Sequence, residues 1–443
     1  MPDLFRSLQS AWRRFRRDAV QTSLGGRWAN QLSYTVQHNL SWFWLDGLFA
    51  VASDNIILTY LTLFVLALGA TNAQIGAMSA LSSLSAALLL FPGAMLVERM
   101  GRRKFITVSF GGGLGRLMLL LLALTPVVVS GPAAVYVAMA LSVTRDASSN
   151  FSLPAWTALT ADVVPLEWRG RYFASRNIAM SIGGIITTFA VGAFITQIGG
   201  FTGYQLALLL AFGLGLVSTY SFAHIREPKI IAAPPTPGGE SLRALLQNLR
   251  AHPEFLAFCG VAAAWNFSLN IAGPFFTPYM AESLKANAFE IGFFSVVTSL
   301  AGLPAFRLFG HLADRWGPRR VQLITGLLIP FVPWIWMVTS QPWHVIPVNA
   351  LAGFLWAGYN LAAFNFLLTL TPENRRARYS AIYQIVITLS LSLGAVFGSV
   401  VATVWGYAAV FFLSGVGRLV AALLFARFVH APRSSSQTTP ATR

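Results

Sequence analysis

From about residue 42 to about residue 430 the sequence is a succession of apolar runs, each long enough to cross a lipid bilayer. About 20 apolar residues span the hydrocarbon core as a helix, and a helix is required there because no water is present to satisfy backbone N–H and C=O groups. With 55% hydrophobic and only 10% charged residues, most of the 443-residue chain must sit in lipid. Helical spans are expected at about 42–68, 72–97, 105–128, 133–162, 171–196 and 203–225, then at about 254–281, 288–312, 320–339, 343–370, 377–402 and 407–430. The reading is an all-α integral membrane protein of about 12 transmembrane helices.

Between the sixth and seventh runs lies a stretch rich in Pro and Gly, including Pro228, Pro234, Pro235, Pro237, Gly238 and Gly239, which no span could contain. It divides the chain into halves at 41–225 and 254–430, joined by a linker, 226–253, whose residues 241–250 read as a short amphipathic helix. Residues 1–40 interleave Arg13, Arg14, Arg16 and Arg17 with Trp12 and Phe15, which suits a basic amphipathic segment on an anionic inner leaflet. Residues 431–443 read as a disordered tail. The net charge of +16 would point to nucleic acid if the cations shared one patch, but they occupy alternate loops. Arg99 to Lys104, Arg169, Arg171, Arg315 to Arg320, Arg375 to Arg378 and both termini fall on one side, which the positive-inside rule makes cytoplasmic. The single cysteine, Cys259, excludes an internal disulfide and reads as a packing residue.

Two of the cytoplasmic hairpins are copies of each other. Ala94-Met95-Leu96-Val97-Glu98-Arg99-Met100-Gly101-Arg102-Arg103-Lys104 closes the second run, and Gly310-His311-Leu312-Ala313-Asp314-Arg315-Trp316-Gly317-Pro318-Arg319-Arg320 closes the eighth. Ile75, Gly76 and Gly101 recur as Ile291, Gly292 and Gly317 at a shift of 216, and Pro165 to Tyr172 recurs as Pro372 to Tyr379 at a shift of 207. The halves are therefore parallel repeats.

These hairpins resemble the loop between the second and third helices of the major facilitator superfamily of transporters, and its echo between the eighth and ninth. The family pattern is Gly-x-Leu-Ala-Asp-Arg-x-Gly-Arg-Arg. The second copy matches it at Gly310, Leu312, Ala313, Asp314, Arg315 and Gly317; the first is looser, with Ala94, Val97 and Glu98 at the Gly, Ala and Asp positions. The resemblance covers about residues 42–430. It implies two six-helix halves in the cell membrane, a substrate path near the bilayer midplane and movement by alternating access. It also implies that Glu98 meets the segment holding Arg376 and Arg378, and Asp314 the segment holding Arg169 and Arg171, latching the halves on the cytoplasmic side. With Arg99, Gly101, Arg102, Gly310, Arg315 and Gly317 these make up the expected gate.

An ionisable group at the bilayer centre costs at least about 2.5–3.5 kcal/mol, so each one needs a partner or a purpose. The first run holds Asp46 and Asp54, about 12 Å apart along a helix. Asp54 is a candidate for the site, and the shift of 216 sets it opposite Asn270 in the seventh run. Asp46, nearer the cytoplasmic end, reads as an interfacial carboxylate. The fourth run contributes Arg145, Asp146, Ser148, Ser149 and Asn150 close to mid-depth; neighbours on a helix point about 100° apart, so Arg145 and Asp146 are not expected to face one cavity together. The resemblance assigns Arg145 the cavity with Asp54 beside it, a pair able to exchange a proton as the guanidinium moves. Asn266 in the seventh run, with Asn360, Trp356 and Tyr359 in the tenth, could add hydrogen bonds and an aromatic wall. Arg116 and Arg418 lie deep in the third and twelfth runs, which the family places at the periphery, favouring a structural or lipid-headgroup role. Gly183, Gly184 and Gly192 offer a small-residue face on the fifth run but lack the Gly-Pro motif of drug–proton antiporters, which weakens a multidrug assignment.

Other classes fit less well. None of the three lysines follows the Gly-rich pattern of a phosphate-binding loop, which disfavours an ATP-driven pump. No nucleophile–base pair or metal-ligand cluster suggests an enzyme, and no cofactor or metal is expected. The reading is a secondary transporter of a small organic solute, proton-coupled and functional as a monomer, with export by antiport slightly favoured over uptake by symport or facilitated diffusion. A non-transporting receptor or scaffold on the same fold is the alternative from another class, and it has little use for polar groups buried in spans one, four and seven.

Overall fold

A computed structural model describes Trp28 and residues 31–227, 253–370 and 376–429, apart from the side chains of Leu368 and residues 376–378. The basic amino-terminal segment, most of the linker and the carboxyl-terminal tail of the sequence reading lie outside the described residues. Every regular element described is helical. The first half comprises α1 (Tyr34–Ala67), α2 (Asn72–Met100), α3 (Arg103–Val128), α4 (Pro132–Val163), α5 (Arg169–Ile198) and α6 (Gly200–Ala223). The second comprises α7 (Pro253–Glu282), α8 (Ala288–Trp316), α9 (Pro318–Met337) and α10 (Val345–Leu370), then a run Arg376–Phe428 broken where Gly406 takes φ 77°. That break separates α11 (376–405) from α12 (407–428).

Among the described residues ten helical segments are long and apolar enough to cross a membrane, with Tyr379–Phe428 taken as one. α4 is not among the ten, and it carries the polar run from Arg145 to Asn150. α1 starts at Tyr34, earlier than its apolar run, because Ser33 caps it by accepting from the Val36 N–H. α2 starts on a reciprocal cap in which Thr71 and Gln74 each accept the other's backbone N–H. It ends on Gly101, φ 62°, and the second hairpin turns on Gly317, φ 82°. A Cβ at either position would meet nothing within 4 Å, so the left-handed backbone, not lack of room, is what asks for glycine.

The basic residues after these glycines clasp a helix end in their own half. Lys104 Nζ donates to the Ile225 carbonyl at 3.1 Å, just past α6, while Arg103 pairs with Asp162 on α4 and gives its N–H to Glu227. In the second half Arg319 donates to the Val429 and Ala426 carbonyls, at 2.6 and 3.0 Å, at the end of α12. Cations suit the carbonyl-rich ends of helices. Each hairpin thus fixes its third helix to its sixth.

Two compact units emerge: α1–α6 with Phe276–Val296, and the remainder of the second half. In the first, Tyr60 donates to the Thr188 carbonyl at 2.5 Å, and Gly192 and Gly292 leave room for its phenol. Gly183 and Gly184 bring α5 close to Leu48, Val51 and Asn55 on α1, the small-residue face expected from the sequence. The core near the basic hairpins is built on Leu40, Phe43, Leu159, Tyr172 and Phe222. Its counterpart in the second unit is built on Phe255, Phe258, Phe366, Tyr379 and Phe425.

Candidate functional site

Five charged side chains of the first half converge on one cavity of about 340 Å³. α1 supplies Asp46 and Asp54, α3 Arg116, α4 Arg145, α5 Arg176, and α6 the hydroxyls of Ser218 and Thr219. Trp156, Met180 and Phe222 give it apolar walls.

Asp54 is the hub. Its Oδ1 accepts from Arg145 Nη2 at 2.8 Å and from Arg116 Nη1 at 3.2 Å, yet half of its side chain stays exposed. Arg116 also donates to Ser53 Oγ at 3.0 Å, and the Ser53 hydroxyl donates in turn to the Ala211 carbonyl at 2.7 Å, so α1, α3 and α6 are joined. Gly215 on α6 makes the arrangement possible, since a Cβ there would fall 2.5 Å from Arg116 Cδ.

Of the structural or lipid-headgroup role expected of Arg116, the contact seen is the structural one, an ion pair to α1 inside the cavity. Just before Arg116, residues Thr107–Leu114 form π-helical turns. Each π turn carries one residue more than the α ladder and so rotates the residues beyond it by about 100°. Gly111, Gly112 and Gly115 line the cavity just before Arg116, and Gly111 and Gly112 lie against Ser152 and Thr219.

Arg145 and Asp146 diverge as their spacing predicts, yet they are paired. Asp146 does not line the cavity, as the angle between neighbours requires, but the long Arg145 side chain folds back and Nη1 pairs with Asp146 Oδ1 at 2.9 Å. One guanidinium therefore holds two carboxylates.

Asp46 is not interfacial. It is 6% exposed, accepts from Ser218 Oγ at 2.7 Å, and lies 3.7 Å from Arg176 Nη2. Arg176, absent from the sequence candidates, is 5% exposed; it donates to the Phe43 carbonyl, lies over the Phe43 ring at 4.3 Å and needs the bare backbone of Gly47 beneath it. Its signal in the sequence was its place five residues past Arg171, too deep for a loop cation.

The remaining candidates lie elsewhere. Asn150 donates to Ser85 Oγ at 3.2 Å and joins α4 to α2. Asn270 donates to the Leu391 carbonyl on α11 at 2.7 Å, and Asn266 to Ala262 on its own helix. Trp356 and Tyr359 do form an aromatic group, with Trp265 stacked on Tyr359 at 4.6 Å and Trp356 edge-on to both. Asn360 is exposed on α10. Arg418 is 1% exposed and neither snorkels nor meets lipid: Nη2 donates to the Leu269 carbonyl at 3.4 Å, and Nε has no partner. Among the described residues no ion pair involves it, and no cluster of His, Cys, Asp or Glu could hold a metal.

Of the gate residues, Glu98, Arg99, Arg102, Asp314 and Arg315 are exposed around the two positive-φ glycines, Gly101 and Gly317, and Gly310 lies within α8. Arg169 donates to the Ala161 and Val164 carbonyls at the end of α4, and Arg171 lies over Trp168. The side chains of Arg376 and Arg378 fall outside the described residues.

Comparison with known proteins places this geometry. The family model described as Major Facilitator Superfamily matches residues 43–271 and again 256–443. A multi-drug resistance efflux pump, PmrA of Streptococcus pneumoniae, is 24% identical over 396 residues, covering 85% of this chain and 92% of that protein. A putative multidrug resistance protein of Escherichia coli, MdtD, is 26% identical over 158 residues, 32% of this chain and 33% of that one. Among solved structures the fold matches the nucleoside transporter NupG, TM-score 0.69 at 14% identity over 88% of this chain and 100% of that one. It also matches a D-xylose-proton symporter, TM-score 0.68 at 13% identity over 90% and 99%.

Proposed function

The chain belongs to the Major Facilitator Superfamily, and we propose that it moves a small organic solute by alternating access, coupled to protons through Asp54. It is a multi-pass membrane transporter and not an enzyme. One observation carries the coupling role: Asp54 is held by Arg116 and Arg145 yet half-exposed in a cavity. A half-exposed carboxylate whose two partners are mobile side chains is placed to exchange a proton with the cavity as those partners move. Asp54→Asn should abolish pH-driven flux in proteoliposomes while the variant still folds and inserts; unchanged flux would remove Asp54 from the coupling.

The proposed topology has twelve spans with both termini cytoplasmic, α4 and the two arms of the Gly406 break included, and a single chain suffices for transport. Asn266, Asn270, Trp356, Tyr359 and Asn360 are proposed to contribute from the second half. Export by antiport is the direction favoured by relatives named as efflux pumps. Uptake by symport is the second reading, and the double pairing of Asp54 favours it. Glu98 and Asp314 are proposed to latch the halves in the outward-facing state, and a cysteine-accessibility assay in which Asp314→Asn left the inward–outward balance unchanged would refute that.

A further inference from the structure

Resting on the reading of Asp54 as the coupling group, we infer that the transported solute is anionic, that it binds Arg116 and Arg145, and that it displaces Asp54, which then takes up a proton. Three arginines and two aspartates line the cavity, and Asp146, outside it, balances the third arginine through Arg145, so inside the cavity guanidiniums outnumber carboxylates while the cluster as a whole is neutral. A cationic solute seeking Asp54 would meet two guanidiniums already on its Oδ1, and such like-charge contact is costly in a desolvated site. An anion meets the reverse. If Asp54 swings away, Arg145 keeps Asp146 but Arg116 keeps only the Ser53 hydroxyl, and its Nε is already buried without a partner. Arg116 is thus the primary receiver, with a planar fork suited to a carboxylate or phosphate.

The charges that face Asp54 are Asp46 on its own helix, Arg116 on α3, Arg145 and Asp146 on α4, and Arg176 on α5; α6 contributes hydroxyls only. Stripped of both guanidiniums and facing a bound anion, the Asp54 carboxylate is disfavoured as a charge and binds a proton from water in the cavity. The anion brings one negative charge and the proton one positive charge, so the charge of the site is unchanged. Proton and solute then bind together, which is the order of symport; antiport needs them to compete. The volume, about 340 Å³, lies at the small end for ligand sites, which selects a compact solute.

The test uses purified full-length protein and size-matched probes: benzoate and phenylphosphate, benzylammonium, and benzyl alcohol. Binding is read by calorimetry, and proton uptake by an indicator dye in weak buffer. An anion should bind more tightly than the cation and the alcohol, taking up about one proton in wild type and none in Asp54→Asn. Arg116→Gln should weaken that binding about tenfold or more, as loss of a charge-assisted hydrogen bond requires. Arg116→Lys, which keeps the charge, should restore part of it and so separates recognition from folding. Absence of any preference for the anions overturns the inference, as does anion binding without proton uptake. Cation binding that Asp54→Asn removes would overturn the inference yet leave Asp54 as the coupling group; pH-driven flux insensitive to Asp54→Asn would sink the reading beneath it.

Discussion

Each half of the molecule buries a deep arginine against its first helix, and the two meet opposite fates. Arg116 reaches Ser53 and Asp54 on α1; Arg418 reaches the carbonyl of Leu269 on α7, which the shift of 216 makes the counterpart of Ser53. The depth is shared but the route is not, because Arg116 comes from the third helix of its half and Arg418 from the sixth. The first arginine has a carboxylate and lines a cavity; among the described residues no ion pair involves the second. A pseudo-symmetric fold can therefore bury arginines at similar depth in its two halves with different partners. The second half sets Asn270 where the first has Asp54, and that asparagine is spent on the Leu391 carbonyl.

The comparison can be broken most sharply by removing each arginine. Arg116→Met should abolish pH-driven flux, since Asp54 loses one of its two guanidiniums. Arg418→Met should keep flux and leave the unfolding midpoint unchanged or raised, because replacing a buried charge that has no counter-ion by an apolar side chain is often neutral or stabilising. Loss of flux in Arg418→Met would show that the second half carries charge chemistry after all. A subtler effect is expected of Gly215→Ala, which keeps every charge but pushes Arg116 from Asp54; flux should fall several-fold with normal folding. Smaller still, Gly101→Ala and Gly317→Ala should each cost about 1 kcal/mol through the positive φ alone, read as a lower midpoint. The smallest effect is expected at the clasps, where Arg103→Ala and Arg319→Ala should lower the midpoint slightly and leave flux intact.

Legibility followed the rarity of charge in lipid. Asp54 and Arg145 were readable because so few ionisable groups interrupt the apolar runs, and the repeated hairpins were readable because an acid, an arginine and a glycine recur at fixed spacing. Arg116 was visible but its direction was not, since only the resemblance spoke to it, by placing the third span at the periphery, and the π turns just before Arg116 cannot be read from composition. Asp46 looked like an end-of-span charge and Arg176 was passed over; helix starts in lipid are set by caps and packing, and α1 begins at Tyr34, which buries Asp46 well within it. The asparagines were ambiguous from the start, because an amide serves a helix contact as readily as a ligand. Asn150 and Asn270 join helices, while Asn266 bonds within its own.

The central claim is that coupling resides in the Asp54 cluster of the first half. It is tested most directly by pH-driven flux of the solute found with the charge-sorted probes, measured in proteoliposomes carrying wild type, Asp54→Asn or Asn270→Ala at equal protein density. The account predicts that Asp54→Asn gives no pH-driven flux and that Asn270→Ala retains it. Wild-type flux in Asp54→Asn, or its loss in Asn270→Ala alone, would contradict the account.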